Sequence, residues 1–212
     1  VLGHVLERLS YSTLLNESIV ATTDQGEDDC IEDYCLKNGI KCFRGSSEDV
    51  LDRFYLTAKH YSLLNILRIT ADCPLIDPLI VDKVIQGYVS GCYDYYGLKG
   101  SFPDGLDCTV ISYRALQLAW RNSTLLSERE HVGPYIEKNP DTFKLGGLEL
   151  FNDLENERWT LDEERDYLLL QKIFKSLYKK GKLFTTDQVL SLLDAKPKLR
   201  LINKGIIRNT IK

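Results

Sequence analysis

Carboxylates, a guanidinium and an imidazole placed in turns just after short apolar runs are groups suited to handling phosphate and hard cations. Asp72 is the sharpest instance, following Leu67-Arg68-Ile69-Thr70 and preceding Cys73-Pro74. A carboxylate at the end of a buried strand can hold a hard divalent cation and, through it, a phosphate. An Asp in that place can equally cap the next turn, and spacing alone leaves both readings open. Asp162, in Arg158-Trp159-Thr160-Leu161-Asp162-Glu163-Glu164, reads either as a second ligand or as part of an acidic helix start. Arg129, in Glu128-Arg129-Glu130-His131, carries the fork that meets a carboxylate or phosphate in bidentate fashion. A lone histidine such as His131 is more often a structural hydrogen-bond partner than a catalyst. The remaining candidates follow other strands: Thr22 and Thr23, Arg44 and Gly45, and the Pro103-Asp104-Gly105-Leu106-Asp107 loop. Neither GxxxxGK[ST] nor GxGxxG occurs. Pattern alone therefore reaches an α/β enzyme with a phosphate-bearing ligand.

These residues need a sheet to position them, because ligands of open α/β sheets bind outside the carboxyl ends of the strands. Strands are predicted at Ser18–Thr23, Ile40–Phe43, Asn65–Thr70, Cys108–Ser112 and Lys144–Leu150. Helices are predicted ending at Leu9 and over Asp28–Asn38, Ser46–Tyr61, Pro78–Tyr88, Tyr113–Trp120, Glu128–Lys138 and Leu168–Leu177, with a last one around Val189–Leu193. Asn38-Gly39 stops the second helix, Ser47 can cap the third, and Pro78 suits a first helical turn. Strand and helix alternate at α/β spacing, which predicts a mostly parallel sheet covered by helices. No repeat or Gly/Ser linker divides the chain. The expected organisation is one domain over 1–184 with a C-terminal helical tail, 185–212, packed on it.

Composition narrows the function classes. The 212 residues exceed the size of a typical domain, about 150 residues, by less than a second full domain. With 43% hydrophobic and 27% charged residues there is material for a real core, which excludes disorder as the main state. A net charge of -4 speaks against a dedicated nucleic-acid binder. No run approaches a membrane span, and no charged n-region with an apolar h-region opens the chain, so a cytoplasmic protein is expected. The six cysteines include no CxxC pair and the three histidines do not complete a zinc pattern, so reduced thiols are expected. The chain begins at Val1 and contains no methionine, which predicts a longer translation product.

Several segments, in order, resemble one family. They are His4-Val5-Leu6-Glu7-Arg8-Leu9, Val20-Ala21-Thr22-Thr23, the run Phe43–Leu51, the run Arg68–Pro78 with Thr70-Ala71-Asp72-Cys73-Pro74, the Pro103–Asp107 loop, Arg129-Glu130-His131-Val132-Gly133-Pro134-Tyr135-Ile136, and Arg158-Trp159-Thr160-Leu161-Asp162. Each is weak singly, but the ordered set is similar to the cytidylyltransferase family of the spore-coat polysaccharide biosynthesis protein F type. That family is related to the synthetases of CMP-activated acidic sugars. The resemblance implies a nucleotide-diphosphosugar transferase-like fold, a mixed and mainly parallel sheet between helices. It implies CTP as donor, a sugar acceptor, Mg²⁺ as cofactor and no membrane partner.

By the same resemblance Asp72 and Asp162 hold the metal and form the catalytic set with Arg129. Thr22, Thr23, Arg44 and Gly45 lie near the nucleotide, and Asp104, Asp107, Arg129 and His131 on the sugar side. Relatives of this kind often form homodimers, and Tyr113, Trp120, Tyr135 and Phe151 are the aromatic residues such an interface would use. The family opens with a strand and a Gly/Ser/Arg loop ending in Lys just upstream of the His4 segment. The expectation is an active parent carrying that loop, and an inactive fragment without it. Gly133 stands where relatives commonly carry Thr. Two other functions remain open at this point: a glycosyltransferase of the same fold using a nucleotide sugar, and a non-catalytic α/β binding module.

Overall fold

The computed structural model describes residues 1–206; positions 207–212 of the expected tail lie outside the described residues. Strand β1 (Ile19–Thr23), helix α2 (Asp29–Lys37) and strand β2 (Lys41–Gly45) form a parallel β-α-β unit preceded by helix α1 (Leu2–Leu9). A second sheet has the order β3 (Asn65–Arg68), β5 (Thr109–Ser112), β4 (Tyr95–Lys99), β6 (Leu145–Glu149). β5 runs antiparallel to both neighbours, while β4 and β6 are parallel. The architecture is thus the expected α/β fold on a mixed sheet, but the strands are not mainly parallel: β5, running against β3 and β4, makes two of the four strand pairings antiparallel.

Helices cover both faces of the second sheet because its strands alternate. In β5, Val110 joins a core built by α1, α4 (Pro78–Gly91), α8 (Glu164–Leu177) and α9 (Thr186–Ala195), with Val84, Trp159, Ile173 and Leu193 at its centre. The next residue, Ile111, joins the opposite core, where Leu51 and Tyr55 of α3 (Val50–His60) meet Leu116 of α5 (Tyr113–Asn122). This is the period of two that a strand imposes on a two-faced sheet. Local chemistry sets the helix starts. The Asp49 carboxylate accepts from Asp52 N at 2.8 Å at the head of α3, Asp77 caps α4 by accepting from Leu79 N at 2.9 Å, and Thr185 with Gln188 forms a capping box on α9.

Two elements differ from the sequence reading. β4 was not predicted, because Tyr93-Asp94-Tyr95-Tyr96-Gly97 mixes Asp and Gly into the run and masks the strand pattern. The helix predicted over Glu128–Lys138 is two short helices, α6 (Leu126–His131) and α7 (Pro134–Glu137). Pro134 has no amide to donate back to α6 and suits the first turn of a new helix, which α7 is. The break falls at Val132, with φ 69° and ψ -46°, and Gly133 N donates to His131 O at 2.8 Å. That is a γ-turn of the rare, strained hand, held by a buried β-branched residue.

Candidate active site

Three loops meet at the carboxyl end of β3. The turn Ile69–Asp77 follows that strand, the loop Phe102–Asp107 leads into β5, and the segment Glu157–Asp166 leads into α8. Main-chain bonds join them. Asp104 N donates to Glu157 O at 2.9 Å, Trp159 N to Asp104 O at 2.7 Å, and Leu161 N to Asp72 O at 2.9 Å. Thr160 Oγ1 adds a longer bond to the same Asp72 carbonyl at 3.4 Å. Gly105, at φ +102°, makes the approach possible: a Cβ there would lie 2.6 Å from Thr160 N. The Asp72 and Asp162 segments are therefore stitched edge to edge, and Asp107 supports the Gly105 turn by accepting from Gly105 N at 3.1 Å.

The turn carrying Asp72 is also anchored from behind. Arg8 of α1, buried, donates from Nε to Ile76 O at 2.7 Å and from Nη2 to Phe184 O at 2.9 Å, with its guanidinium 4.3 Å from the Phe184 ring centre. Burial lowers its pKa to about 10, against the partly compensating charges of Asp77 and Glu7. Cys73 is buried, and its thiol is pushed well above its usual range by that burial and then by the negative Asp72 and Asp107. Negative charge is concentrated where these loops meet.

One guanidinium organises those acids. Arg158, 7% exposed, reaches Asp104 Oδ2 at 2.8 Å, Asp162 Oδ2 at 2.6 Å and the fully buried Asp166 at 3.0 Å. Asp166 Oδ2 also accepts from Asp162 N at 3.2 Å and Glu163 N at 3.0 Å. Burial alone would raise the Asp166 pKa, but the bonds from Arg158, Asn203 and these amides outweigh it and hold the carboxyl below its usual range. Neither Arg158 nor Asp166 was singled out in the sequence as a site residue. The only local signal was an arginine four residues before Asp162 and eight before Asp166.

The other candidates lie on the β1–β2 pair and on α6. Thr22 and Thr23 stand opposite Arg44 and Gly45 in the parallel register. Asp28 accepts from Thr22 Oγ1 at 2.7 Å, Thr23 Oγ1 at 2.6 Å and Thr23 N at 2.9 Å, and these bonds lower its pKa. Arg44 donates to Thr23 O at 2.9 Å and pairs with Asp29 at 2.6 Å and Glu32 at 2.9 Å. Arg129 is held at the head of α3: Nε meets Asp49 Oδ2 at 2.8 Å, Nη2 bonds the same oxygen, and Nη1 meets Trp120 O at 2.7 Å. His131 is partly exposed, 3.9 Å from Glu130, beside the strained Val132. The structure thus groups Asp72, Asp104, Asp107 and Asp162 at one locus, joins Thr22, Thr23, Arg44 and Gly45 at a second, and places Arg129 against the loop that leaves the second. A Cβ at Gly133 would lie 2.6 Å from the Tyr95 hydroxyl, which fills the room a threonine would need.

Among the described residues, no group of three or more His, Cys, Asp or Glu side chains is placed to hold a metal on protein ligands alone. Two carboxylates on hydrogen-bonded segments are nevertheless a hard oxygen donor set. They fit Mg²⁺, which is commonly held by one or two carboxylates together with substrate phosphates. Asp162, with a side chain 39% exposed, is accessible for that purpose.

Comparison with known proteins gives concordant results. The model of the cytidylyltransferase family matches residues 1–197. An uncharacterized protein of Methanocaldococcus jannaschii is 39% identical over 210 residues, 97% of this chain and 84% of that protein. The spore coat polysaccharide biosynthesis protein SpsF of Bacillus subtilis is 29% identical over 182 residues, 84% of this chain and 75% of that one. The solved structure of a cytidylyltransferase from Leptospira borgpetersenii superposes with a TM-score of 0.89 at 30% identity, covering 98% of this chain and 87% of that one.

Proposed function

The chain belongs to the cytidylyltransferase family, and on that premise we propose that it transfers the cytidylyl group of CTP to a hydroxyl of an acidic sugar, releasing pyrophosphate, for the synthesis of a surface polysaccharide. The observation that carries the reading is the Leu161–Asp72 hydrogen bond, which sets two carboxylate-bearing turns side by side at the end of β3. The sugar oxygen attacks the α-phosphorus, the bond to the bridging oxygen of pyrophosphate breaks, and the hydroxyl proton is lost. No covalent protein intermediate is needed. The demand on the protein is alignment and relief of negative charge on the phosphates.

In this reading Asp72 and Asp162 hold Mg²⁺, which when bound supplies charge neutralisation and a template for the phosphates. Arg158 keeps Asp162 and Asp104 in place. Asp104, Asp107 and His131 face the sugar, while Thr22, Thr23, Arg44 and Gly45 form the nucleotide side. Arg129, by gripping Asp49, fixes the loop between the nucleotide side and α3 and lends positive charge there. The SpsF-like relative favours a polysaccharide precursor as the product's destination.

The test is pyrophosphate release by the full-length protein across nucleoside triphosphates and acidic sugars. Release is expected with CTP, falling at least about a hundredfold in Asp72→Asn and in Asp162→Asn, with far-ultraviolet circular dichroism unchanged. Normal release by both variants would remove the carboxylate pair from the reaction. Free nucleotide released from a nucleotide sugar, without pyrophosphate, would select the glycosyltransferase instead.

A further inference from the structure

We propose that Asn203, on the segment after α9, is a positioning residue for Asp162, so that the C-terminal segment completes the active site. The inference rests on the reading above that Asp162 serves the reaction. Asn203 is 5% exposed, and its amide nitrogen donates to Arg158 O and to Asp166 Oδ1, each at 2.9 Å. A primary amide has two hydrogens, one for each acceptor. Those acceptors bracket the turn that carries Asp162: Arg158 holds the Asp162 carboxylate, and Asp166 holds the Asp162 amide. Arg200, three residues before Asn203, adds an ion pair with Glu157 at the entrance to the same turn. The segment therefore grips the turn at Glu157, Arg158 and Asp166.

Arg200 and Asn203 lie beyond residues 1–197 matched by the family model, so this grip comes from outside the matched region. Its effect on chemistry follows from leverage. Removing the amide takes from the buried Arg158 carbonyl its Asn203 donor and leaves Asp166 Oδ1 to Arg158 Nε at 3.1 Å. The turn then relaxes and the Asp162 carboxylate shifts. Partners that orient a ligating group typically matter by about 10–100-fold, and small misplacements of aligned groups act on turnover more than on ground-state binding.

The experiment compares full-length wild-type protein, Asn203→Ala, and Leu201→Ala, whose side chain is exposed on the same segment. Amide hydrogen exchange over residues 157–166 is read alongside kcat, the KM for CTP and the melting temperature. Should Asn203→Ala fail to fold, Asn203→Ser, which keeps one donor, takes its place. Asn203→Ala is expected to exchange about tenfold faster in that segment and to lose about tenfold in kcat with KM within about twofold, while Leu201→Ala matches wild type. Unchanged exchange would overturn the grip. Faster exchange with unaltered kcat would overturn the positioning role and leave Asn203 a fold-stabilising residue only. Wild-type protein that releases no pyrophosphate would instead overturn the proposed reaction, and the exchange data would still decide whether Asn203 holds the Asp162 turn.

Discussion

Asp166 has no solvent contact, yet it stays an anion because Arg158, Asn203 and the amides of Asp162 and Glu163 all donate to it. Its pKa is held below the ordinary carboxylate value, so the folded state favours the ionised form. The resulting stability is fully present above the unfolded pKa, about 3.9, and is lost as pH falls through the lower folded value. Asp28 and Asp82 are shifted in the same direction and add to the effect. Urea unfolding should therefore give a midpoint that is flat near neutrality and drops as the pH passes below about 4. Asp166→Asn should lower stability at pH 7 by about 3–5 kcal/mol and make that acid drop shallower. An unchanged acid slope in the variant would place the linkage elsewhere. At this scale the sequence marks a candidate where the signal lies in the residue's own turn. Asp72 and Asp162 follow apolar runs and were read as candidates directly. Arg8 was opaque because one of its acceptors, Phe184 O, is 176 residues away, and Asn203 because its acceptors are 45 and 37 residues away. No local periodicity reports such a partner.

At the scale of elements, the meeting of the Phe102–Asp107 loop with the Glu157–Asp166 segment depends on Gly105. Its φ of +102° is open to glycine, and any Cβ would meet backbone atoms of Trp159 and Thr160, which cannot swing aside as a flexible side chain would. Gly105→Ala should cost about 2–3 kcal/mol in urea unfolding, combining backbone strain with displacement of the loop. It should also reduce pyrophosphate release by more than it changes the KM for CTP, because the Trp159–Asp162 stretch moves with the loop. A variant as stable and active as wild type would show that the two loops are not rigidly joined. The elements that were read correctly have strong local signals: β-branched strands followed by capped helices. β4 escaped because its tyrosines are interrupted by Asp94 and Gly97. The break between α6 and α7 is marked in the sequence by Pro134, a boundary signal that the helix predicted over Glu128–Lys138 runs through.

At the scale of the molecule, the two loci of candidate residues lie on different sheets and are bridged by α3, whose head is tied to Arg129 and whose body packs on β1, β2 and α5. Trp120, expected at a dimer interface, stacks on Tyr55 with ring centres 4.2 Å apart and donates to Asp52 at 2.7 Å. Trp120 and Tyr113 thus both stack on Tyr55, between α3 and α5. Among the described residues no helix is long and apolar enough to cross a membrane. Fold class and reaction type were legible from ordered motifs spread along the chain, whereas the joining of Asp72 to the Asp162 turn is a tertiary fact. On the proposed reaction this joined site transfers the cytidylyl group of CTP, α-phosphate included, to a sugar. Its most direct measurement follows CTP labelled at the α-phosphorus, incubated with the full-length protein, Mg²⁺ and a panel of acidic sugars. The label should appear in a nucleotide-linked sugar while unlabelled pyrophosphate is released in equal amount. Label that stays in CTP with every sugar, or appears only as free CMP, would contradict it.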